Sequence, residues 1–139
     1  MIPLYAQDHD FSMYSVLAVD DIPLNLLLVQ KMLARYNFKF RTAANGQQAL
    51  DAVEKEKPNL ILLDLMMPEI DGFEVLRRLR ENPQTADIRV IILSALNSNE
   101  DVVKGFNLGA NDYLVKPIIM EKLLSCVITQ LQVVEAMKQ

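Results

Sequence analysis

The stretch LILLDLMMPEIDGFEVL (60–76) decides the fold. Leu60–Leu63 are four apolar residues in a row. A strand with one face in water would alternate polar and apolar side chains, so this run reads as a strand buried on both sides. Asp64 then stops it, placing a carboxylate where the chain leaves the core. A loop follows, and Phe73, Leu76 and Leu79 recur at helical spacing. A buried strand, a polar carboxyl end and a covering helix make one unit of a parallel sheet with helices on its faces.

Working outward, the same unit repeats. Apolar runs start at Val16, Phe38, Leu60, Ile88 and Asp112, at intervals of 22, 22, 28 and 24 residues. They span Val16–Val19, Phe38–Thr42, Leu60–Leu63, Ile88–Leu93 and Asp112–Val115. Helical stripes lie between and after them. Leu24, Leu28 and Met32, with Leu27 beside them, predict the inward face of the first helix. Ala49, Leu50 and Val53 predict that of the second, and Phe73, Leu76 and Leu79 that of the third. Val102, Val103 and Phe106 predict the fourth; Leu124, Val127, Ile128, Leu131 and Val134 predict the fifth. Pro23 suits a first helical turn, where its missing N–H costs nothing. Asn37, Gly46, Pro58 and Gly109 sit at the seams. Ser98 with Asp101 predicts a capping box with Asp in place of Glu. The expected fold class is α/β: a single (βα)5 doubly wound domain on a five-stranded parallel sheet. Residues 1–15 show no clean period and read as a mobile or loosely packed arm, leaving 16–137 as the one domain.

Composition agrees. The chain has 139 residues, 51% of them hydrophobic and 23% charged, enough to bury a core. A formal charge of −4 argues against direct nucleic-acid binding. Cys126, the one cysteine, excludes an intramolecular disulfide and a Cys-rich zinc site. No apolar run nears the ~18 residues that cross a bilayer, and the N-terminus lacks a basic signal-peptide region. A soluble cytoplasmic domain without membrane contact is the expectation.

Ligands of an open parallel sheet bind beyond the carboxyl ends of its strands. There the first run ends in Asp20-Asp21, the third in Asp64, the fourth in Ser94 and the fifth in Lys116-Pro117. Three clustered carboxylates repel unless a cation joins them. Hard oxygen donors without His or Cys point to Mg2+. Lys116 and Ser94 supply the positive charge and the donor that a phosphoryl group needs. Asp64 follows the central run and precedes a loop, so it is expected to be exposable at the sheet edge; it is the best nucleophile, since carboxylates form covalent phosphoryl intermediates.

VLAVDD (16–21), LILLDLMMPEIDGFEVL (60–76), VIILSA (90–95) and GANDYLVKP (109–117) together resemble the receiver domain of two-component response regulators, the CheY-like family, over about residues 15–135. The resemblance implies the flavodoxin-like strand order 2-1-3-4-5. It implies Asp64 as acceptor of a phosphoryl group from a sensor histidine kinase or phosphotransfer protein. Asp20, Asp21, Asp64 and the backbone carbonyl of Met66 would hold Mg2+, Asp20 through a water. Ser94 and Lys116 would contact the phosphoryl oxygens, Tyr113 would be the aromatic switch with Ser94, and a cis bond would precede Pro117. Residues 98–135 would carry the readout, to an output partner or a homodimer, with Leu123, Cys126 and Val133 as a second apolar face of the last helix. Met66 and Leu96 are apolar where many relatives are polar, which bears on the lifetime of the phosphoryl group.

Other readings fit less well. An aspartate-nucleophile phosphatase of the haloacid-dehalogenase kind needs a second Asp two residues after the nucleophile, where Met66 stands. A flavin carrier on this fold needs a phosphate-cradling loop where Asp20-Asp21-Ile22-Pro23 would repel the phosphate. A phosphorylation-independent interaction domain would not require the intact acidic set. The chain is thus read as no enzyme beyond its own phosphorylation and dephosphorylation. Asp20-Asp21 could also serve as plain helix N-terminal acids, His9 as a solvated residue, and Cys126 as half-buried packing. The last helix has no Gly or Pro stop, which predicts a truncation or a continuing helix after residue 139.

Overall fold

The five apolar runs pair as one sheet in a computed structural model that describes residues 11–138. Strands β1 (Ser15–Val19), β2 (Lys39–Ala43), β3 (Leu60–Leu63), β4 (Arg89–Ser94) and β5 (Asp112–Val115) alternate with five helices. These are α1 (Pro23–Leu33), α2 (Gly46–Lys55), α3 (Gly72–Glu81), α4 (Asn99–Asn107) and α5 (Met120–Met137), with a short 3-10 turn, Ala34–Tyr36, after α1. Every neighbouring pair is parallel, and the order is β2-β1-β3-β4-β5. The three inner strands are almost wholly buried, whereas β2 and β5 form the edges. β2 and β4 open one residue later than expected. Lys39 and Arg89 carry the first amides that reach a neighbouring carbonyl, of Tyr14 at 2.9 Å and Asn59 at 3.2 Å.

Strand alternation sends residues to two cores. Val16, Ala18, Leu60, Leu62, Ile91 and Leu93 face α1 and α5. Leu17, Val19, Ile61, Leu63, Val90 and Ile92 face the side of α2 and α3, where Tyr113 also lies. Asn45, Asp71 and Ser98 cap α2, α3 and α4 with side-chain oxygens. Pro23 opens α1 as expected.

Several expectations need correcting. In α1 the inward residues are Val29 and Leu33, with Leu26 and Met32 packed beside them; Leu24, Leu27 and Leu28 are exposed. This helix is apolar nearly all round, so spacing alone does not choose a face. In α4, Val103 and Phe106 point outward and the buried residue is Gly105. In α5, Leu123 is fully buried, so it offers no second apolar face; Cys126 and Val133 are only partly exposed. Ser98 accepts from the Asp101 amide, but the Asp101 carboxylate accepts from the Ser98 hydroxyl at 2.7 Å rather than from a backbone amide, its shorter side chain replacing the reach of Glu.

The arm expected over 1–15 divides. Residues 1–10, with His9, lie outside the described residues. Phe11 and Tyr14 are buried, and Phe11 rings meet Tyr36 and Phe38 at 5.6 and 5.3 Å between centroids. Tyr14 also donates to Glu135 of α5. Aromatic area, not periodicity, packs this segment.

Candidate functional site

Parallel pairing brings the carboxyl ends of the strands to one edge. Asp20 and Asp64 extend the ladder past β1 and β3, through Asp20 N to Ala43 O at 3.1 Å and Asp64 N to Val19 O at 2.9 Å. Both are buried, while Asp21 is exposed; the exposure expected of Asp64 is not found, because it continues the ladder beside β1. Carboxylate oxygens of Asp20, Asp21 and Asp64 all lie within 4.8 Å of one another, and among the described residues no other cluster of metal-ligating side chains stands out this way. Lys116 reaches across from the end of β5. Its Nζ donates to Asp20 Oδ2 at 2.8 Å and lies 3.7 Å from Asp64 Oδ2. The Lys116–Pro117 bond is cis.

Asp64 is held from the main chain as well. Met66 N faces its Oδ1 at 3.4 Å. The loop then folds back so tightly that a Cβ on Gly72 would lie 2.3 Å from the Asp64 carbonyl oxygen; only glycine fits at this start of α3. Burial raises the Asp64 carboxyl above its ordinary value. The Lys116 charge opposes this, the Asp20 charge adds to it, and the Met66 and Leu65 amides oppose it.

Asn25, on α1, joins the site beyond the residues expected from the sequence. Its Nδ2 donates to Asp20 Oδ2 at 3.1 Å, and Ile22 N donates to Asp20 Oδ1 at 2.9 Å. Asp20 is therefore fixed on both oxygens. The available signal is position: Asn25 is the third residue of α1, four residues after the acidic pair.

Ser94 is wholly buried at the end of β4. Leu63 pairs with Ile92, so Asp64 and Ser94 leave adjacent strands within a residue of each other. The Ser94 hydroxyl accepts from Leu96 N at 3.2 Å, so it is turned to its own loop. Tyr113 on β5 is buried, and its hydroxyl donates to the Leu96 carbonyl at 2.6 Å. Burial raises the Tyr113 phenol above its ordinary value, aided by the Asp101 charge, opposed by Ser94, and aided slightly by Asp64. Met66 is exposed and Leu96 half-buried. The structure thus joins Asp20, Asp21, Asp64 and Lys116 directly, and links Ser94 and Tyr113 through Leu96.

Known proteins share this sequence and this fold. Residues 16–128 match the response regulator receiver domain. The chain belongs to that family. The receiver domain is 41% identical over 103 residues to the response regulator PleD of Caulobacter vibrioides, covering 74% of this chain and 23% of PleD. It is 35% identical over 115 residues to PilH of Pseudomonas aeruginosa, covering 83% of this chain and 95% of PilH. It therefore spans less than a third of PleD but almost all of PilH. Among solved structures, the Vibrio cholerae chemotaxis protein CheY4 is 32% identical with a TM-score of 0.78, covering 84% of this chain and 98% of that one. The BeF3-activated DrrB receiver domain gives the same score and identity. Receiver domains are regulatory parts of two-component systems. Among the described residues, no helix of this one is long and apolar enough to cross a membrane.

Proposed function

We propose that this receiver domain is a phosphorylation-activated switch in which Asp64 accepts a phosphoryl group from a phosphohistidine. The observation that carries the reading is Lys116, whose ammonium lies 2.8 Å from Asp20 and 3.7 Å from Asp64. A buried carboxylate beside a positive charge and two further acids is built for a charged transferring group. An Asp64 oxygen attacks phosphorus; a P–O bond forms, the P–N bond breaks, and the imidazole leaves with the electron pair and takes a proton. Lys116 and Ser94 then hold the phosphoryl oxygens.

Three carboxylates within 4.8 Å, with no nitrogen or sulfur donor among them, fit Mg2+. Asp20, Asp21, Asp64 and the Met66 carbonyl would hold it. Bound there, it neutralises the repulsion of the acids and the charge of the incoming group. Asp20, tied by Asn25 and Ile22, is held in place for this whether or not it touches the ion directly.

A protein donor fits better than a small metabolite. Ile22, Leu24 and Leu28 expose apolar surface on the α1 side of the site, the kind of rim that a partner protein covers. The donor is a sensor histidine kinase or phosphotransfer protein, and the compartment is the cytoplasm. Readout runs through α4, β5 and α5, where Val103, Phe106, Val115, Ile119 and Met120 are exposed. Tyr113 already stands inward, so phosphorylation shifts the population of this arrangement as Ser94 turns from Leu96 to the phosphoryl group.

Incubation with a small phosphodonor and Mg2+, followed by peptide mass mapping, tests the reading. The mass of one phosphoryl group is expected on Asp64 and lost in Asp64→Asn. Full labelling of that variant would overturn the assignment.

A further inference from the structure

We propose that Gly105 is a positioning residue of the switch: the side chain it lacks is the space in which the Tyr113 ring stands inward. The proposal rests on the switch reading above and adds a residue that contacts neither the phosphoryl group nor the metal site.

Gly105 is the one buried residue of α4. A Cβ there would lie 3.2 and 3.3 Å from Cδ2 and Cε2 of the Tyr113 ring and 2.8 Å from Cδ1 of Ile92. Ile92 and Tyr113 are register partners on β4 and β5. They present one joint surface, and α4 settles on it at the glycine. The ring has little freedom to yield. Its hydroxyl is held by the Leu96 carbonyl at 2.6 Å, so moving the ring away from α4 strains or breaks that bond. Ile92 is wholly buried and cannot swing aside freely. Lys104 Nζ also sits 4.2 Å from the centroid of the Phe73 ring on α3, a contact that weakly favours the seated position of α4.

Glycine inside a helix is unfavourable, since it leaves more backbone freedom to lose on folding. α4 accepts this penalty at the position that faces Tyr113. A methyl group at 105 crowds the ring, and a branched side chain excludes it. With the ring outward, the Leu96 carbonyl loses its tie to β5. The loop after Ser94 and the α4–β5 surface then move independently. Asp20, Asp21, Asp64 and Lys116 lie on other elements, so phosphoryl acceptance is expected to survive.

NMR of protein carrying ring-labelled tyrosine tests this, free and with beryllofluoride and Mg2+. Wild type is expected to show cross-relaxation from the Tyr113 ring to the Ile92 methyls and the Gly105 α-protons. In Gly105→Val the Ile92 contacts are expected to fall at least tenfold, and beryllofluoride no longer restores them, while phosphodonor labelling of Asp64 stays at the wild-type level. Unchanged ring contacts in that variant would overturn the role of Gly105. Loss of Asp64 labelling from wild type itself would instead overturn the switch reading. If Gly105→Val does not fold, Gly105→Ala is compared in two backgrounds. It is expected to raise the melting temperature when Tyr113→Ala has removed the ring, and to lower it or leave it unchanged when the ring is present. The same rise in both backgrounds would overturn the proposal.

Discussion

α5 and α4 rest on opposite faces of the same sheet and are anchored by different means. α5 runs 18 residues and buries Leu123, Leu124, Val127, Ile128 and Leu131 against β1, β3 and β4. Burying such side chains contributes roughly 1.5–3 kcal/mol each. α4 runs nine residues and buries one glycine, with Val102 and Leu108 only partly covered. Its larger apolar side chains, Val103 and Phe106, face outward. The rigid element therefore lies on the α1–α5 side of the sheet. The element that can shift at small cost lies next to Ser94 and Tyr113. Under the proposed switch, a phosphoryl group moves the structure only by the difference in its interaction with two states, and the less deeply anchored helix is the one such a difference displaces.

Truncation breaks or sharpens the comparison most directly. Ile128→Ala, in α5, is expected to cost about 2–5 kcal/mol through lost burial and a residual cavity. Phe106→Ala, in α4, is expected to change stability by no more than about 0.5 kcal/mol. Urea denaturation of both variants measures this, and equal losses would end the contrast.

Thiol chemistry gives the next effect. Cys126 Sγ donates to Asp112 Oδ2 at 3.0 Å and ties α5 to β5. Burial first, and then the Asp112 bond and charge, push the thiol up to about 12. Reaction with a disulfide reagent near pH 8 is expected to be slow, and faster by roughly tenfold in Asp112→Asn, because only the thiolate attacks. Because the folded value is raised, folding favours the protonated thiol. The contribution is fully present below the unfolded thiol value of about 8.5 and is lost as pH climbs from there toward 12. Stability is expected to fall less across that alkaline range in Cys126→Ala than in wild type; the same fall in both would show that Cys126 makes no such contribution.

The smallest effect concerns the flexible side and time. Hydrolysis of a phosphoryl group on Asp64 needs an aligned water. Met66 is exposed and Leu96 lies on the loop that leads to α4. Neither can orient a water by hydrogen bonding. The double variant Met66→Asn, Leu96→Glu is expected to lose its label several-fold faster, since one well-placed hydrogen bond is worth roughly 1 kcal/mol. Decay of labelled protein in Mg2+ buffer checks this; equal or slower decay means that these positions do not gate the water.

Much of this molecule is legible in its sequence, for a physical reason. Strands buried on both faces must be continuously apolar, so LILL and VIIL mark the sheet centre, and the polar residue that ends each run falls at the strand's carboxyl end. Parallel pairing brings those ends to one edge, which is why Asp20, Asp21, Asp64 and Lys116 were readable as a group and prove to be neighbours. Helix faces were less legible. α1 is apolar nearly all round, and only contact with α5 and the sheet selects Val29 and Leu33 for the core, with Leu26 and Met32 beside them. In α4 the sequence pattern favours Val103 and Phe106, while the sheet admits the glycine between them because Tyr113 fills the remaining space. The bonds of Asn25 to Asp20 and of Tyr113 to Leu96 belong to the same class. Each joins residues of different elements, so backbone placement decides it, and local hydrophobic pattern carries no trace of it.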